Sequence, residues 1–555
     1  MVVLRRVYRQ GYLARPEPGH RPGFLWQGLR VSIVPMTRRI RLVSMTAIAL
    51  VGACGVHVFT QGVTSTLADC AVPALQAKAP AGTTITGAKL IEASGKLPRF
   101  CQVDGHAASP GNTVNFRLGL PERWNGKYYF VGVGGLGGTI GSLNKGLERG
   151  YASASTDTGH LADDPAWWGN RAKEIDYGHR GTHVTAVAGR DLAGAFYGRA
   201  PQHAYFDGCS NGGRQALMEV QRYPQDFDGI IGGDPATGTP MQVGRALVYQ
   251  KMLSKPEHYL TAEKIELLSR ATLAACDKTD GLEDGLITDP RRCTFKPETL
   301  KCAGPDGPTC LNEGQLAVVK QIYDGAALDG EPYAWGFPAG HEGSASGWRA
   351  WISGPEEPTK QADGTLAYTG KRLPSGYGLA DSNMRFLAFE QDDPTFTWRV
   401  FRFPQDLARM KTMSEVLSPL DADLRPFKVR GGKLLLYHGW SDPAISAYGT
   451  VGYYDKVTRI VGGQAAMDAF AKLYLVPGMH HCSGGPGPNE FDMLTALENW
   501  VEKGQAPGPV TATHRENGVV TRTRPLCPHP QVARYKGTGS IDEAASFTCE
   551  VPPAR

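Results

Sequence analysis

A pentapeptide centred on Ser210 has the pattern expected of an activated serine. Residues 208–212 are Gly-Cys-Ser-Asn-Gly, which fits the G-x-S-x-G motif. A predicted strand over 203–207 precedes the motif and a predicted helix over 212–223 follows it, so the serine falls on the turn between them. Such a turn needs small residues on both sides and holds the hydroxyl above a sheet. Without that context, the segment would be a glycine-rich helix entry with a capping serine.

Asp442 and His481 are the candidates for the acid and the base that a serine nucleophile requires. Asp442 follows a predicted strand over 433–438, and His481 follows another over 472–476. Both lie at the carboxyl ends of strands, in the chain order serine, acid, histidine. The sequence therefore predicts acyl transfer by Ser210, with His481 as the base and Asp442 as the orienting acid.

Two alternatives to this assignment stay open. Asp234 also closes a predicted strand, over 227–231, and could be the acid, although the acid usually comes from a later strand. His480 could be the base in place of His481. His438 is more typical of a structural loop histidine.

A glycine-rich segment over 132–138 follows a predicted strand that begins at residue 127. Glycines let a backbone approach a ligand closely, and an ester hydrolase needs N–H donors aimed at the developing oxyanion. We expect the N–H of Gly135, or that of Gly134, to act together with the N–H of Asn211. The alternative is a flexible loop without a chemical role.

The elements around these residues alternate between strands and helices. This alternation, together with the serine motif, predicts an α/β-hydrolase fold with a doubly wound, mostly parallel sheet. The alternation is lost between about 236 and 430, which predicts a large inserted lid domain. The expected organisation is an N-terminal extension and secretory signal (1–68), a first part of the hydrolase domain (69–235), the lid (236–430) and a second part (431–555).

The N-terminus has the pattern of an export signal. Arg38, Arg39 and Arg41 precede an apolar stretch over 42–59 that is too short and interrupted to span a membrane. This predicts a secreted or periplasmic protein without a transmembrane span in the mature chain, with Cys54 as a possible lipoprotein anchor. The net charge of +5 is small and no basic stripe is present, which argues against nucleic acid as a partner.

Eleven cysteines are present, and ten remain after Cys54 in the signal is set aside. Export would place them in an oxidising compartment, where disulfides persist. Their spacing favours four local pairs and leaves one distant pair by elimination, although spacing alone does not prove connectivity. The expected pairs are Cys70 with Cys101, Cys276 with Cys293, Cys302 with Cys310, Cys527 with Cys549, and Cys209 with Cys482.

The residues named so far resemble one family specifically. Cys209-Ser210, Asp442 and His481-Cys482 are similar to the Cys-Ser, Asp and His-Cys pattern of tannases and feruloyl esterases, which include mono(hydroxyethyl) terephthalate hydrolases. The resemblance extends over about 70–549. It implies a disulfide between the cysteines beside the serine and the histidine, and it favours His481 over His480. Asp234 departs from the pattern, because a small or apolar residue is expected there.

The resemblance implies a secreted serine carboxylesterase. The expected substrates are esters of aromatic acids (gallate, hydroxycinnamate such as ferulate, or a terephthalate monoester), free or attached to plant polysaccharide or polyphenol. Aromatic residues of the lid could cover such a ring: Trp348, Trp351, Phe386 and Trp398. The alternatives are a non-catalytic, calcium-stabilised binding protein on the same fold and a lipase-like esterase of other specificity.

The segment over 276–286 resembles the calcium loop of that family. The resemblance implies a structural Ca²⁺ in the lid, and hard oxygen ligands of this kind suit calcium. An acidic surface turn is the alternative. The implied ligands are the carboxylates of Asp277, Asp280 and Asp284 and the main-chain oxygens of Leu282 and Leu286.

Overall fold

A mixed sheet of nine strands forms the centre of the part of the chain that the computed structural model describes, residues 63–64 and 67–553. The predicted export signal and Cys54 lie outside the described residues. The strands of the sheet are β1 (Thr83–Ile91), β2 (Phe100–Ser109), β3 (Asn112–Pro121), β4 (Lys127–Val131), β5 (Ala152–Thr156), β6 (His203–Cys209), β7 (Gly229–Gly233), β8 (Lys433–Gly439) and β9 (Ala471–Val476).

The strand order across the sheet is β9-β8-β7-β6-β4-β5-β3-β2-β1. The six strands from β9 to β5 are mutually parallel, and β3, β2 and β1 continue the sheet in antiparallel fashion. Because parallel strands all point their carboxyl ends to the same edge, residues that follow β6, β7, β8 and β9 are brought together there.

In the described part of the chain, ten longer helices accompany the strands, and shorter ones span Val72–Gln76, Asn144–Leu147, Arg171–Ile175 and Gln464–Asp468. The longer helices are α1 (Gly181–Tyr197), α2 (Asn211–Arg222), α3 (Thr239–Met252), α4 (Ala262–Cys276), α5 (Glu313–Asp324), α6 (Ser375–Phe386), α7 (Leu407–Leu417), α8 (Arg425–Arg430), α9 (Ala447–Val461) and α10 (Met493–Lys503).

Both faces of the parallel strands are buried. Phe130 and Phe206 belong to one hydrophobic cluster, whereas the adjacent Tyr129 and Tyr205 belong to another on the opposite face. Successive residues of a strand point to opposite faces, so these near-continuous apolar runs are the pattern of a sheet covered on both sides. The predicted α/β fold with a doubly wound, mostly parallel sheet is therefore confirmed.

The antiparallel strands β1, β2 and β3 and the short strand β5 were not predicted. Strand β5 is Ala-Ser-Ala-Ser-Thr, and all five residues are buried. Small polar residues carry little strand propensity, so only the neighbouring strands specify this element.

The chain between β7 and β8 forms an insertion with its own hydrophobic core. Helices α3 to α7 lie in it, together with the small antiparallel pairs Gly325–Leu328 with Glu331–Trp335 and Thr359–Lys360 with Leu366–Ala367. Its core contains Tyr249, Val319 and Trp398. This insertion corresponds to the predicted lid.

All five expected disulfides are present among the described residues. Four join cysteines 8 to 31 residues apart, and Cys209–Cys482 joins residues 273 apart. Two strands from the C-terminal part, Val510–Glu516 and Val519–Leu526, form a further hairpin. Within the described residues, no helix has the length and apolar character needed to cross a membrane.

Candidate active site

Ser210 occupies the sharp turn between β6 and α2. Its φ of 66° lies in the left-handed region, which a non-glycine residue adopts only when its surroundings enforce it. The Ser210 N–H donates to the carbonyl of Gly233 at 2.9 Å. A Cβ at Gly208 would lie 2.7 Å from the carbonyl oxygen of Gly212, so the close approach of strand and helix requires glycine at this position of the motif.

Ser210, His481 and Asp442 form one chain of hydrogen bonds. The Nε2 atom of His481 lies 2.9 Å from the Oγ of Ser210, and its Nδ1 atom lies 2.8 Å from an Oδ of Asp442. The three residues follow β6, β9 and β8, whose carboxyl ends meet at one edge of the sheet. With Nδ1–H donating to the carboxylate, Nε2 is free to accept the serine proton.

The carboxylate of Asp442 is buried but well supported. One oxygen accepts the backbone N–H groups of Ala444 and Ile445 at 2.7 and 3.0 Å, and the other faces His481. Burial disfavours the carboxylate, yet attraction to His481 and the hydrogen bond from His438, whose Nε2 lies 3.3 Å away, outweigh burial and lower the pKa of Asp442. Asp442 is therefore held as an anion beside the imidazole.

The imidazole of His481 is partly covered by the lid. Burial lowers its pKa, but the charge of Asp442 outweighs that effect and the net pKa is raised above the ordinary value of 6.5. The ring of Trp351, from the lid segment Arg349–Ser353, packs edge-on against it with centroids 4.9 Å apart. This contact limits access of water to the base.

Asp234, the alternative acid, is hydrogen-bonded to backbone N–H groups and not to the ring of His481, although an oxygen of its carboxylate lies 3.7 Å from Nε2 of His438. Its carboxylate accepts the N–H of Gly439 at 2.9 Å and that of Cys482 through the other oxygen. Burial raises its pKa to about 6. Asp234 thus joins the end of β7 to the loops that carry Asp442 and His481.

His480 and His438, the other two histidines considered, make different contacts. The Nδ1 of His480 bonds the Oγ of Ser346 in the lid at 2.5 Å. Its Nε2 has no hydrogen-bond partner among the described residues, and burial lowers the pKa of His480 to about 4. His438 is fully buried, and its Nδ1 bonds Thr450 at 2.7 Å. Neither ring is hydrogen-bonded to Ser210.

The glycine-rich loop after β4 is fastened to the serine turn. The carbonyl of Val133 accepts bonds from the Asn211 and Gln215 side-chain amides, both at 3.0 Å. Gly134 and Gly135 line the same cavity as Ser210, and the φ of Gly135 is +59°. The loop and the backbone of Asn211 therefore face one space.

That space, termed here the serine cavity, lies between the sheet edge and the lid and has a volume of about 360 Å³. Of the four lid aromatics named from the sequence, Trp351 lines it. Trp348 and Trp398 are buried in the lid core, and Phe386 packs on Trp168 with centroids 5.0 Å apart. The other principal lining residues are Leu136, Tyr177, Arg214, Met241, Gln242, Arg245, Leu379, Asn383 and Ile445.

Residues 101–550 match the sequence profile of the family described as tannase and feruloyl esterase. The chain belongs to this family. It is a carboxylic ester hydrolase, as the family and its named members are.

Two curated relatives and one solved structure illustrate the similarity. A mono(2-hydroxyethyl) terephthalate hydrolase of Piscinibacter sakaiensis is 34% identical, with 82% of this chain and 86% of that protein covered. A probable feruloyl esterase of Arthroderma benhamiae is 32% identical, with 79% and 82% covered. The crystal structure of an esterase from Aspergillus oryzae superposes with a TM-score of 0.77 at 25% identity, over 87% of this chain and 99% of that one.

The loop that resembles the family's calcium site follows α4. The Asp277 and Asp280 carboxylates accept backbone N–H groups of the same loop, among them those of Gly285 and Leu282, each at 2.9 Å. Asp284 is ion-paired with Arg524 of the C-terminal hairpin, with N and O atoms 2.5 Å apart. Burial, together with the charges of the other two carboxylates, raises the pKa of Asp280. Asp280 therefore feels the charges of two further carboxylates, and two arginines of the C-terminal hairpin, Arg522 and Arg524, face Asp284.

Two features of the site were missed from the sequence. Arg245, on α3, lines the serine cavity, and the Asn211 side chain fixes the glycine loop. The sequence around Arg245 did not predict that its side chain lines this cavity, because the residues that surround it come from the loop after β8 and from the lid. Asn211 was singled out only for its backbone N–H.

Proposed function

We propose that the protein hydrolyses esters of aromatic carboxylic acids through Ser210, His481 and Asp442. The observation that carries the proposal is the hydrogen-bonded chain from Ser210 Oγ through both nitrogens of His481 to Asp442, at 2.9 and 2.8 Å. Geometry of this kind activates a serine on unrelated folds, so it supports the roles independently of the family.

In the proposed mechanism, His481 Nε2 takes the proton from Ser210 while the oxygen attacks the ester carbonyl carbon. Asp442 holds the Nδ1–H tautomer and stabilises the imidazolium that forms. His481 then gives the proton to the departing alkoxide, leaving an acyl-enzyme on Ser210. Water attacks this ester with the same base, and the acid is released.

The developing oxyanion needs preorganised donors. We assign this role to the backbone N–H groups of Asn211 and Gly135. The hydrogen bonds that join the glycine loop to the Asn211 side chain support the assignment, since they hold both segments against one cavity. Neither group needs to move when charge develops.

The aromatic acyl group is supported by the lid and by the relatives. Trp351 presents an aromatic ring beside His481, where the acyl group of a bound ester would lie. Curated relatives are named for terephthalate and ferulate esters. Such a substrate could be free or attached to plant polysaccharide or polyphenol.

Replacement of Ser210 tests the proposal. The variant Ser210→Ala should fold with an unchanged melting temperature and hydrolyse methyl benzoate at least about 10³-fold more slowly, because the nucleophile is gone. Release of acid can be followed by titration. Turnover within a few-fold of the wild type would contradict the assignment.

The proposed location is outside the cytoplasm, secreted or periplasmic. Five disulfides among the described residues support it, because such bonds persist in oxidising compartments. Anchoring through Cys54 is part of the same hypothesis and concerns residues outside the described ranges.

A structural Ca²⁺ bound by the loop after α4 is a further proposal. The side chains of Asp277, Asp280 and Asp284 and the main-chain oxygens of Leu282 and Leu286 would hold it, and an all-oxygen donor set suits calcium. Burial, together with the charges of Asp284 and Asp277, raises the pKa of Asp280, and a cation bound at this loop would offset both effects. The ion would stabilise the lid rather than take part in ester cleavage.

A further inference from the structure

A histidine and two acids meet outside the serine cavity, between α1, α2 and the segment that leads into β7. They are His183 on α1, Glu219 on α2 and Asp226, which follows α2. One nitrogen or oxygen atom of each side chain lies within 4.8 Å of those of the other two. None of the three lines the serine cavity, and Glu219 comes nine residues after Ser210 (219 minus 210), about 13 Å along the axis of α2.

Glu219 is a buried acid that receives no hydrogen bond. Its side chain is fully buried, and neither of its carboxylate oxygens has a hydrogen-bond partner among the described residues. Buried polar groups in proteins are almost always hydrogen-bonded, and buried charges are paired or bind metal ions. Glu219 therefore needs a partner that is not a side chain or a backbone group of this part of the protein.

The charge that acts on Glu219 has the same sign as its own. Burial, and after it the charge of Asp226, raises the pKa of Glu219 well above the ordinary value. Two carboxylates in one buried space are compatible when they share either a proton or a cation. The remaining member of the cluster distinguishes these two cases.

His183 adds a nitrogen ligand to the two carboxylates. Its Nδ1 lies 2.5 Å from an oxygen of Asp226, so the imidazole already supplies Asp226 with a partner and leaves Glu219 without one. One imidazole nitrogen and two carboxylate oxygens form a donor set typical of Zn²⁺. The His183 side chain is 33% exposed, which gives an ion a path from solvent to the two acids.

The ring of His183 can adjust to an ion without losing its support. It stacks on the ring of Tyr223, with centroids 4.0 Å apart and planes 5° apart. Bonds of about 2.0–2.1 Å to a tetrahedral Zn²⁺ place two ligand atoms about 3.3 Å apart, so the contact between Nδ1 and Asp226 must widen by about 0.8 Å. Because the ring is partly exposed, it can slide this far over Tyr223 and remain stacked.

We propose that His183, Glu219 and Asp226 bind a divalent transition-metal ion, with Zn²⁺ as the preferred ion and water as the fourth ligand. The ion is structural, since it joins α1, α2 and the chain that enters β7. It is distinct from the Ca²⁺ proposed for the lid, whose donors are all oxygens. Ester hydrolysis as proposed above uses none of the three residues, so the two proposals stand or fail separately.

Zinc binding by the purified wild type is the first test. Metal-free protein is titrated with Zn²⁺ at about pH 7.5 in a calorimeter, with about 1 mM Ca²⁺ present throughout so that the lid loop is not available to zinc. We expect this site to bind one Zn²⁺ per chain with a dissociation constant of about 1 μM or lower and to release protons. Zinc at about 100 times that constant should raise the melting temperature by about 2–3 °C.

Two variants locate the bound ion. Glu219→Gln keeps the shape of the side chain and removes its charge, and His183→Gln changes a partly exposed residue, so that folding does not depend on one substitution. Each should weaken zinc binding at least about a hundredfold and abolish the rise in melting temperature. Zinc bound at any other histidine, His481 included, would remain in both variants.

His203→Gln is the matched control. The His203 side chain is 32% exposed and its Nδ1 lies 3.9 Å from an oxygen of Asp228, so this variant also removes a partly exposed imidazole that faces an aspartate. It should bind Zn²⁺ as the wild type does. Zinc binding of equal strength in the wild type and in Glu219→Gln would overturn the inference. Absence of saturable binding by the wild type would also overturn it, and would mean that the two carboxylates share a proton.

Cobalt gives a spectroscopic readout of the same site. A Co²⁺ ion with tetrahedral nitrogen and oxygen ligands absorbs visible light much more strongly than the octahedral aqueous ion. We expect such absorption bands in the wild type and in His203→Gln, their loss on addition of Zn²⁺, and their absence in His183→Gln. A wild-type spectrum equal to that of aqueous Co²⁺ would contradict the proposed site.

Discussion

The charge on His481 decides whether Ser210 can be activated. Only the neutral imidazole can take the serine proton, and its raised pKa means that the neutral form predominates only above the ordinary value of 6.5. The rate should therefore rise with pH through that region and be lost below it. The charge of Asp442 is the neighbour that raises this pKa.

Asp442→Asn should change both the rate and its pH dependence. We expect kcat/KM to fall about 10³- to 10⁴-fold. The amide favours the wrong tautomer of His481, and it has no charge with which to stabilise the imidazolium that forms during the reaction. The acidic limb of the residual activity should move to lower pH, since the attraction that raises the His481 pKa is gone. A pH profile of kcat/KM checks both. An acidic limb at the wild-type position would contradict the pairing.

Asp234 offers a prediction about positioning. Asp234→Ala would leave the N–H groups of Gly439 and Cys482 without an acceptor, which should cost about 1–3 kcal/mol of stability. Because Cys482 follows the base directly, kcat should fall about ten- to a hundredfold with little change in KM. Denaturant unfolding and steady-state kinetics measure the two effects.

Asp228→Ala is the matched control for Asp234. The Asp228 carboxylate also accepts a backbone N–H, that of Ala204 at 2.9 Å, but it precedes β7 at the opposite edge of the sheet. This variant should lose stability and keep its kcat. A similar fall of kcat in both variants would show that Asp234 has no specific link to the base.

At the scale of elements, the lid lines the serine cavity with residues of α3, α6 and α7 and with one short segment. The segment Arg349–Ser353 brings Trp351 onto His481. The loop after α4 is closed by Cys276–Cys293 and reaches the C-terminal hairpin through the pair of Asp284 with Arg524. The stability of the loop therefore bears on how the lid is anchored.

Removal of calcium should lower the melting temperature without removing a chemical step. Chelation, or Asp280→Asn, would leave the remaining carboxylates to repel one another. Differential scanning calorimetry with and without added Ca²⁺ measures the effect. Glu283→Gln is the control, because this side chain of the same loop is 69% exposed and should bind no ion. If the melting temperature is unchanged after chelation and elemental analysis finds no calcium, the calcium proposal is wrong and the loop is only an acidic surface turn.

At the scale of the whole molecule, the sequence predicted five of the six parallel strands and proposed the three residues of the site, because those signals are local. The apolar runs of β4, β6, β8 and β9 and the serine motif are each readable within a few residues. Strand β5 and Arg245 are not, since partners distant in sequence determine their surroundings. The sequence identified Asp234 as an unusual acid. It could not predict the two N–H groups that this carboxylate accepts, because they belong to segments distant in sequence.

The bond between Cys209 and Cys482 connects the two halves of the hydrolase domain. Its loop of 273 residues should contribute at most about 5–6 kcal/mol by restricting the unfolded chain, less where other disulfides already do so. We expect Cys209→Ala with Cys482→Gly to lower stability by several kcal/mol and to reduce kcat about a hundredfold. Glycine suits position 482, whose φ is +63°. Chemical unfolding and kinetics well below the melting temperature measure the two effects.

Loss of the bond between Cys302 and Cys310 is the comparison. These cysteines are 8 residues apart in the lid. The loop-closure model therefore gives a loss of stability of about 2.5 kcal/mol, and we expect no effect on the position of His481. Equal kinetic losses in the two double variants would show that Cys209–Cys482 has no special connection to catalysis.

The position of the insertion also has a consequence during synthesis. Strand β7 ends at Gly233 and its neighbour β8 begins at Lys433, so the 199 residues 234–432 are made between them. At roughly 5–20 residues per second, β7 would wait about 10–40 seconds for its partner. A nascent chain that has completed β7 has an open, apolar sheet edge, and such edges recruit other strands. The protein is therefore most vulnerable to aggregation when it is half made, and chaperones that retain it in an unfolded state would act chiefly over this interval.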